Sequence, residues 1–191
     1  IGGGSTEFII GRGLEAERLE SLTIGCVGMT QRFFGDGRLT AAAFDAAETL
    51  ARVEIEAIAG AFGAGAWREA YASSGTAVAL ADILAQNGFS GGGITPVGLA
   101  RLRRRMLDAG HVSRLKLNAL KGERAPVLAG GLAIMAAAVA ELRIERIDPV
   151  GGALRLGVLY DLLGRTTDED ARPATAERFV VRYGIDRAQA L

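Results

Sequence analysis

The sequence of 191 residues predicts an α/β fold in which helices flank a mixed β-sheet. Strand-like apolar segments separated by glycine turns fill residues 1–25. A long alanine-rich stretch follows, in which apolar residues recur at helical spacing from Phe44 to Ile58. Beyond it, short strand-like segments alternate with helical ones, a succession that is typical of layered α/β proteins.

The elements of the first half begin and end at turn and cap residues. Three consecutive glycines between Ile1 and Ser5 predict a tight turn that joins two strands as a hairpin. A Gly-Asp-Gly sequence is expected to end a short helix, and Thr40 is expected to cap a long one. After the hairpin we predict a strand over residues 16–25, helices over 26–34 and 41–62, and a strand over 67–72.

The second half continues this alternation and ends with a change in composition. Asn87-Gly88 ends a predicted helix that begins at Ala77, and Thr95 followed by Pro96 begins the next one. The chain becomes polar and acidic after Gly164, so we place a domain boundary there. The remaining predictions are a helix over 125–142, a strand over 144–150, a helix over 154–163, a first domain over 1–165, and the start of a helical domain over 166–191 with helical segments at 173–183 and 186–191.

Composition limits the classes of function. The chain has 22 basic and 22 acidic residues, so its net charge of zero gives no overall attraction to nucleic acid or to a membrane surface. It has no apolar run long enough to span a bilayer. The single cysteine, Cys26, is typical of a reducing compartment and is expected to be a small buried side chain. The first residue is Ile1, inside a pattern, so we expect the natural chain to begin earlier.

The glycine turn and the polar residues after it are the first candidate site. Successive backbone N–H groups of a glycine-rich turn can point into one concavity, and the two hydroxyls add donors. The carboxylate of Glu7 could hold Mg²⁺ against phosphate oxygens. Phosphoryl chemistry needs this combination, but a plain hairpin turn with an exposed glutamate remains an alternative. The residues concerned are Gly2, Gly3, Gly4, Ser5, Thr6 and Glu7.

Three further segments are weaker candidates. Ser74, Gly75 and Thr76 lie where a strand enters a helix, a position suited to an anion or a ribose, or simply to a turn. Gly130-Gly131, early in an apolar helix, indicates close helix packing or a hinge. The arginines of residues 101–105 indicate a solvated helix face or a track for a polyanion.

Five short motifs follow one another along nearly the whole chain. They are Ile1-Gly2-Gly3-Gly4-Ser5-Thr6-Glu7, Gly25-Cys26-Val27, Ser74-Gly75-Thr76, Ala129-Gly130-Gly131-Leu132-Ala133-Ile134 and Gly152-Ala153-Leu154-Arg155-Leu156-Gly157-Val158-Leu159-Tyr160-Asp161. In this order they resemble the exopolyphosphatase/guanosine pentaphosphate phosphohydrolase family. The resemblance implies the second ribonuclease H-like lobe of an enzyme of the actin and sugar-kinase superfamily.

The resemblance also implies an activity and its site residues. The implied reaction releases the terminal phosphate of inorganic polyphosphate, or the 5′ phosphate of guanosine pentaphosphate, with Mg²⁺ as cofactor. Gly2 to Thr6 match a phosphate-binding hairpin, Glu7 matches a catalytic and metal-site acid, and Ser74 to Thr76 match a nucleotide-side motif. The implied full-length protein is a cytoplasmic homodimer whose partner is polyphosphate or a (p)ppGpp-type nucleotide, with no membrane or nucleic acid partner.

The sequence departs from the family in ways that concern activity. The family's metal-site aspartate before Ile1, and the first lobe with its water-activating glutamate, lie outside the sequence, so we expect this chain to fold but to be inactive alone. Leu156 replaces a common glutamate, and Gly28 replaces a larger or basic residue. An ATP-dependent kinase of the same superfamily, with an adenine pocket at Ser74 to Thr76, and a non-catalytic polyphosphate- or alarmone-binding module remain alternatives.

Overall fold

The computed structural model describes residues 1–13, 15–152, 154–164, 180–181 and 184. The chain divides into two compact units, Ile1–Gly151 and Gly152–Leu191. The first contains strands β1 (Thr6–Arg12), β2 (Glu15–Leu22), β3 (Tyr71–Ala72) and β4 (Asp148–Pro149), and helices α1 (Cys26–Phe34), α2 (Ala41–Phe62), α3 (Gly75–Gln86), α4 (Pro96–Ala109) and α5 (Leu128–Glu141).

The strands of the first unit form two small sheets. β1 pairs antiparallel with β2, with a shift of register between Ile10 and Gly11, and β3 pairs parallel with β4. The α/β class is therefore confirmed. The predicted strands over 67–72 and 144–150 are wrong in length, because only two residues of each meet a partner strand.

The alternation of β1 places its two faces in different surroundings. Thr6 and Ile10 are buried, and the ring of Phe8 packs edge-on against Phe62, with centroids 6.3 Å apart. Ile9, on the opposite face with Glu7, is 62% exposed. Thr6, Phe8 and Ile10 therefore lie on one face of β1 and Glu7 and Ile9 on the other, as the twofold period of a strand requires.

The core lies between the long helix α2 and the apolar helix α5. α5 has eleven buried residues, among them Leu132 and Ile134, and its apolar character around its whole circumference is typical of a central helix. Phe44 and Ile55 of α2 are fully inaccessible and belong to the same core cluster as α5. Complete burial of side chains of this size stabilises the fold by about 2 kcal/mol each.

Three helices begin at side-chain caps. The hydroxyls of Thr40, Ser74 and Thr95 accept hydrogen bonds of 3.2, 3.0 and 3.1 Å from backbone N–H groups three residues later. The predicted caps at Thr40 and Thr95 are confirmed. The predicted start of α3 at Ala77 is wrong, because Ser74 caps the helix and Gly75 is its first residue.

Glycines allow α1 and α5 to approach closely. A methyl group on Gly130 would lie 2.5 Å from the carbonyl oxygen of Cys26 and 2.6 Å from Oγ1 of Thr30. The N–H of Gly130 donates to that same Thr30 hydroxyl at 3.3 Å. The packing interpretation of Gly130-Gly131 is supported by these contacts, since no larger residue fits between the helices.

The second unit is described through helix α6 (Leu154–Gly164), which agrees with the predicted helix over 154–163. The predicted helical segments at 173–183 and 186–191 lie outside the described residues, apart from 180, 181 and a turn at Gly184. The predicted domain boundary at 165/166 therefore stays a prediction. In the described part of the chain, no helix has the length and apolar character needed to cross a membrane.

Replacing Gly130 by alanine should destabilise the fold. The new methyl group overlaps backbone atoms of α1, and such overpacking costs about 2 kcal/mol, or roughly 4–8 °C in melting temperature for a chain of this size. Gly60→Ala is the matched control, because Gly60 lies in α2 with nothing within 4 Å, and alanine there should raise stability slightly. Equal melting temperatures for the two variants would contradict the close packing of α1 and α5.

Candidate functional site

Carbonyl groups of the glycine turn are hydrogen-bonded to the amino end of α1. The Gly2 carbonyl accepts from the N–H of Cys26 at 2.9 Å, and the Gly3 carbonyl accepts from Val27 at 3.0 Å. A methyl group on Gly25 would lie 2.3 Å from the Gly3 carbonyl oxygen, so the backbones touch. These carbonyls occupy the first N–H groups of α1, which are therefore not open to an anion.

The N–H groups of the turn take no part in the contacts with α1. The N–H of Gly2 closes the turn onto the Ser5 carbonyl at 2.8 Å. Among the described residues, the N–H groups of Gly3, Gly4 and Ser5 have no hydrogen-bond partner. None of the three glycines has a positive φ. The turn therefore does not use left-handed backbone, and its close approach to α1 depends on Gly25, since a methyl group on Gly4 would meet nothing within 4 Å.

Glu7 follows the turn on the exposed face of β1. The hydroxyl of Ser5 donates to Oε1 of Glu7 at 2.5 Å, and the hydroxyl of Ser21, from the paired strand, lies 3.5 Å from the same oxygen. Thr6 points the other way, and its hydroxyl donates to the Ile24 carbonyl at 2.6 Å in the protein interior. Ser5 and Glu7 therefore lie together at the surface, whereas the Thr6 hydroxyl is committed to holding the strand.

The amino end of α3 is the second part of the site. The Ser74 hydroxyl caps Ala77, but the N–H groups of Gly75 and Thr76 have no partner in the described part of the chain. The Arg124 guanidinium packs on Gly75, where a methyl group would lie 2.4 Å from Nη2. No carboxylate of the described residues pairs with Arg124, so a cation and open amides meet at this end of α3.

Gly131 of α5 joins the two parts of the site. A methyl group on Gly131 would lie 2.6 Å from Cγ2 of Thr76 and 3.6 Å from Cβ of Cys26. Cys26 is in turn hydrogen-bonded to the glycine turn, so the turn, the start of α1 and the start of α3 meet at one point of α5. The structure thus brings together the two predicted segments, residues 2–7 and 74–76. Sequence reasoning missed Arg124, which carries no local motif.

The donors around Glu7 suit a hard cation only in part. One carboxylate and the hydroxyls of Ser5 and Ser21 are oxygen ligands of the kind that Mg²⁺ accepts. No group of three or more acidic, histidine or cysteine side chains that could hold a metal occurs among the described residues. Mg²⁺ commonly uses one or two carboxylates and completes its shell with water and substrate phosphates, so the donors present fit such a shared site.

The arginines of α4 lie elsewhere and Arg103 is already paired. Its guanidinium contacts Asp45 at 2.5 Å and Glu48 at 3.5 Å, and it lies 5.6 Å from the ring centroid of Phe44. Arg104 pairs with Asp108 one helical turn along at 3.0 Å. These contacts support the solvated-face interpretation of this helix, with Arg103 fixing α4 to α2.

The described fold and site together define a class of protein. An α/β lobe with a glycine turn, open amides, a nearby carboxylate and a cation at a helix start is typical of phosphate-binding domains. The chain belongs to the Ppx/GppA phosphatase family, whose sequence profile matches residues 1–166.

Individual relatives agree with this assignment. The guanosine-5′-triphosphate,3′-diphosphate pyrophosphatases of Aeromonas hydrophila and Aeromonas salmonicida are each 40% identical over 190 residues, which is 100% of this chain and 38% of theirs. The chain thus spans well under half the length of these curated relatives. The crystal structure of the type II variant of the Aquifex aeolicus Ppx/GppA phosphatase matches with a TM-score of 0.70 and 20% identity, over 83% of this chain and 53% of that one. The expected ribonuclease H-like fold is confirmed.

Replacement of Arg103 should lower the free energy of unfolding rather than weaken phosphate binding. Burial raises the pKa of Glu48, and Arg103 is the first group that opposes this shift. Arg103→Ala leaves Glu48 without its cation and removes the contact with Phe44, at a cost of about 2 kcal/mol. Arg105→Ala, on the exposed side of the same helix, should change the unfolding free energy by less than about 0.5 kcal/mol.

Glu48→Gln should remove a pH-dependent loss of folding stability. Because the folded-state pKa of Glu48 is raised, its contribution to stability falls as the pH rises from the ordinary glutamate value, about 4.3, through the raised value. The variant should therefore gain stability relative to the parent over that interval in urea titrations. A constant difference between the two at every pH would contradict this assignment.

Proposed function

We propose that this chain is the phosphate-binding lobe of a hydrolase that removes a terminal phosphate from inorganic polyphosphate or guanosine pentaphosphate. One observation carries the proposal: the carbonyls of the glycine turn are fixed on α1, while the amides of Gly3, Gly4 and Ser5 stay open beside the carboxylate of Glu7. Donors for phosphate oxygens and an acceptor for a cation are thus held a few residues apart.

The relatives favour a substrate of this class. The two Aeromonas proteins are named as pyrophosphatases of guanosine-5′-triphosphate,3′-diphosphate, and the matched family is a phosphatase family. A guanosine polyphosphate and inorganic polyphosphate share a terminal phosphoanhydride, and the glycine turn has groups only for that part. We therefore propose the shared reaction and leave the preference between the two substrates to experiment.

The mechanism that suits this geometry is in-line attack of water on the terminal phosphorus, with cleavage of the bond from that phosphorus to its bridging oxygen and departure of the remaining phosphate chain with that oxygen. The open amides of the turn would bind the oxygens of the phosphoryl group and fix its orientation. Glu7, held by Ser5, would supply a negative charge beside them and accept a hydrogen bond from a bound water. Bound Mg²⁺ would neutralise charge on the phosphate oxygens.

The α3 end would bind the next part of the chain of phosphates. Arg124 and the open amides of Gly75 and Thr76 form a cationic position that is bridged to the turn through Gly131. Arg124 and Gly131 pack on the residues at which the kinase alternative requires an adenine ring, which favours a phosphate there. We further propose that turnover needs residues beyond this chain, and that the complete protein is a cytoplasmic homodimer.

Arg124 should contribute to binding rather than to chemistry. In the full-length protein, Arg124→Ala removes a charged donor from the α3 end, and loss of such a hydrogen bond weakens binding by about 2 kcal/mol. We expect the Michaelis constant for either substrate to rise roughly tenfold or more, with kcat changed little. Arg105→Ala is the control, since it removes the same charge from an exposed face of α4. Equal effects of the two variants would make the contribution of Arg124 a general charge effect.

Glu7→Gln in the full-length protein tests the proposed chemistry. The amide keeps the size and the contact with Ser5 but removes the charge, so we expect kcat to fall at least about a hundredfold. Glu20→Gln makes the same change at an exposed residue of β2 that pairs with Phe8, on the face opposite to Glu7, and should leave turnover and melting temperature unaltered. Near-normal turnover of Glu7→Gln would remove Glu7 from the mechanism, and a large fall in its melting temperature would make the residue structural.

A further inference from the structure

Strand β2 places Ser21 directly opposite Glu7. The antiparallel register of the β1–β2 hairpin pairs these two residues, and paired residues of a sheet direct their side chains to the same face, with Cβ atoms about 5 Å apart. Both residues are exposed, and the Ser21 hydroxyl lies 3.5 Å from Oε1 of Glu7. The next pair on this face, Ile9 with Leu19, is apolar. Ser21 is therefore the nearest polar side chain that β2 offers to Glu7.

Two hydroxyls converge on one oxygen of the Glu7 carboxylate. Ser5 donates to Oε1 at 2.5 Å from the turn before β1, and Ser21 approaches the same atom from the paired strand. Among the described residues, Oε2 has no hydrogen-bond donor. The last torsion of a glutamate has broad minima, so donors on two different segments restrict the orientation of the carboxylate more than one donor can. One oxygen is thus held by the protein and the other is open.

The basic side chains of the hairpin are engaged elsewhere. Arg12 forms an ion pair of 3.1 Å within the hairpin, and Arg18 donates to a backbone carbonyl of α2. The terminal ammonium of Ile1 is close enough to interact with the charge of Glu7. No arginine or lysine in the described part of the chain forms an ion pair with Glu7. Hydroxyl donors orient a carboxylate and leave its negative charge in place, whereas a guanidinium would cancel it.

We propose that Ser21 is a positioning residue, which holds Oε1 of Glu7 together with Ser5 so that Oε2 is directed at the bound water. Ser21 would act through Glu7 and would not touch the substrate. This role rests on the proposed function of Glu7 and assigns a second residue to it. Without Ser21 the carboxylate would be held by Ser5 alone, and the fraction of molecules with Oε2 in the productive orientation would fall.

Three variants of the full-length protein test this role. Ser21→Ala removes the hydroxyl, so we expect kcat to fall roughly five- to tenfold for either substrate, with the Michaelis constant changed by less than about twofold. Ser21→Thr keeps a hydroxyl on a residue that suits a strand, and its kcat should stay within about twofold of the parent value. Thr23→Ala removes another exposed hydroxyl, just beyond the end of β2, and should leave kcat unaltered.

A charged variant separates orientation from charge. Ser21→Arg places a guanidinium opposite Glu7, where an ion pair would hold the carboxylate but cancel its charge. We expect kcat of this variant to fall at least about a hundredfold, as in Glu7→Gln. Because Ser21 is exposed, all of its variants should melt within about 3 °C of the parent, which distinguishes this effect from a loss of folding.

Crystal structures of the parent, Ser21→Ala and Ser21→Thr give a result that does not depend on turnover. We expect the Glu7 carboxylate to take one orientation in the parent and in Ser21→Thr, and more than one in Ser21→Ala. The same single orientation in Ser21→Ala would overturn the proposal. Unaltered kcat of Ser21→Ala in an active parent, or an equal fall in kcat for Ser21→Ala and Ser21→Thr, would also overturn it. A parent that hydrolyses neither substrate would overturn the proposed function instead, and the structures would still decide whether Ser21 orients Glu7.

Discussion

This lobe depends on close contacts that are made at glycines, where no side chain keeps the neighbouring elements apart. Gly25 touches the Gly3 carbonyl, Gly130 lies against Cys26 and Thr30, and Gly131 lies against Thr76. Each contact is too short for a methyl group, so each position accepts only glycine without movement of a neighbour. Because these contacts share α1 and α5, the position of the glycine turn follows from the packing of the core helices.

The electrostatics of the site are local, since the chain as a whole is neutral. Carbonyl groups of the turn satisfy the start of α1, which leaves the donors of the turn itself open. Glu7 contributes negative charge on one side, and Arg124 contributes positive charge at the start of α3. A polyanion would thus meet donors and a cation along one path, while the ion pair of Arg103 with Asp45 and Glu48 is used to hold helices together.

Local signals in the sequence were enough for most of the helices and for the glycine turn. The hydroxyl caps at Thr40 and Thr95 and the apolar periodicity of α2 depend only on residues that are close in the sequence. The structure agrees with these predictions. Strand lengths and Arg124 were not predictable in this way. A strand exists only where a distant partner supplies its hydrogen bonds, and Arg124 meets Gly75 through tertiary packing.

The fastening of the glycine turn to α1 has a consequence for dynamics. Cys26 and Val27 hold the turn, and Thr30 links α1 to Gly130 of α5, so the turn is tied to the core helices. The turn would behave as a rigid part of the lobe rather than as a flexible loop. Displacement of the turn would then require movement of α1 and α5 with it, a collective motion on the order of microseconds to milliseconds.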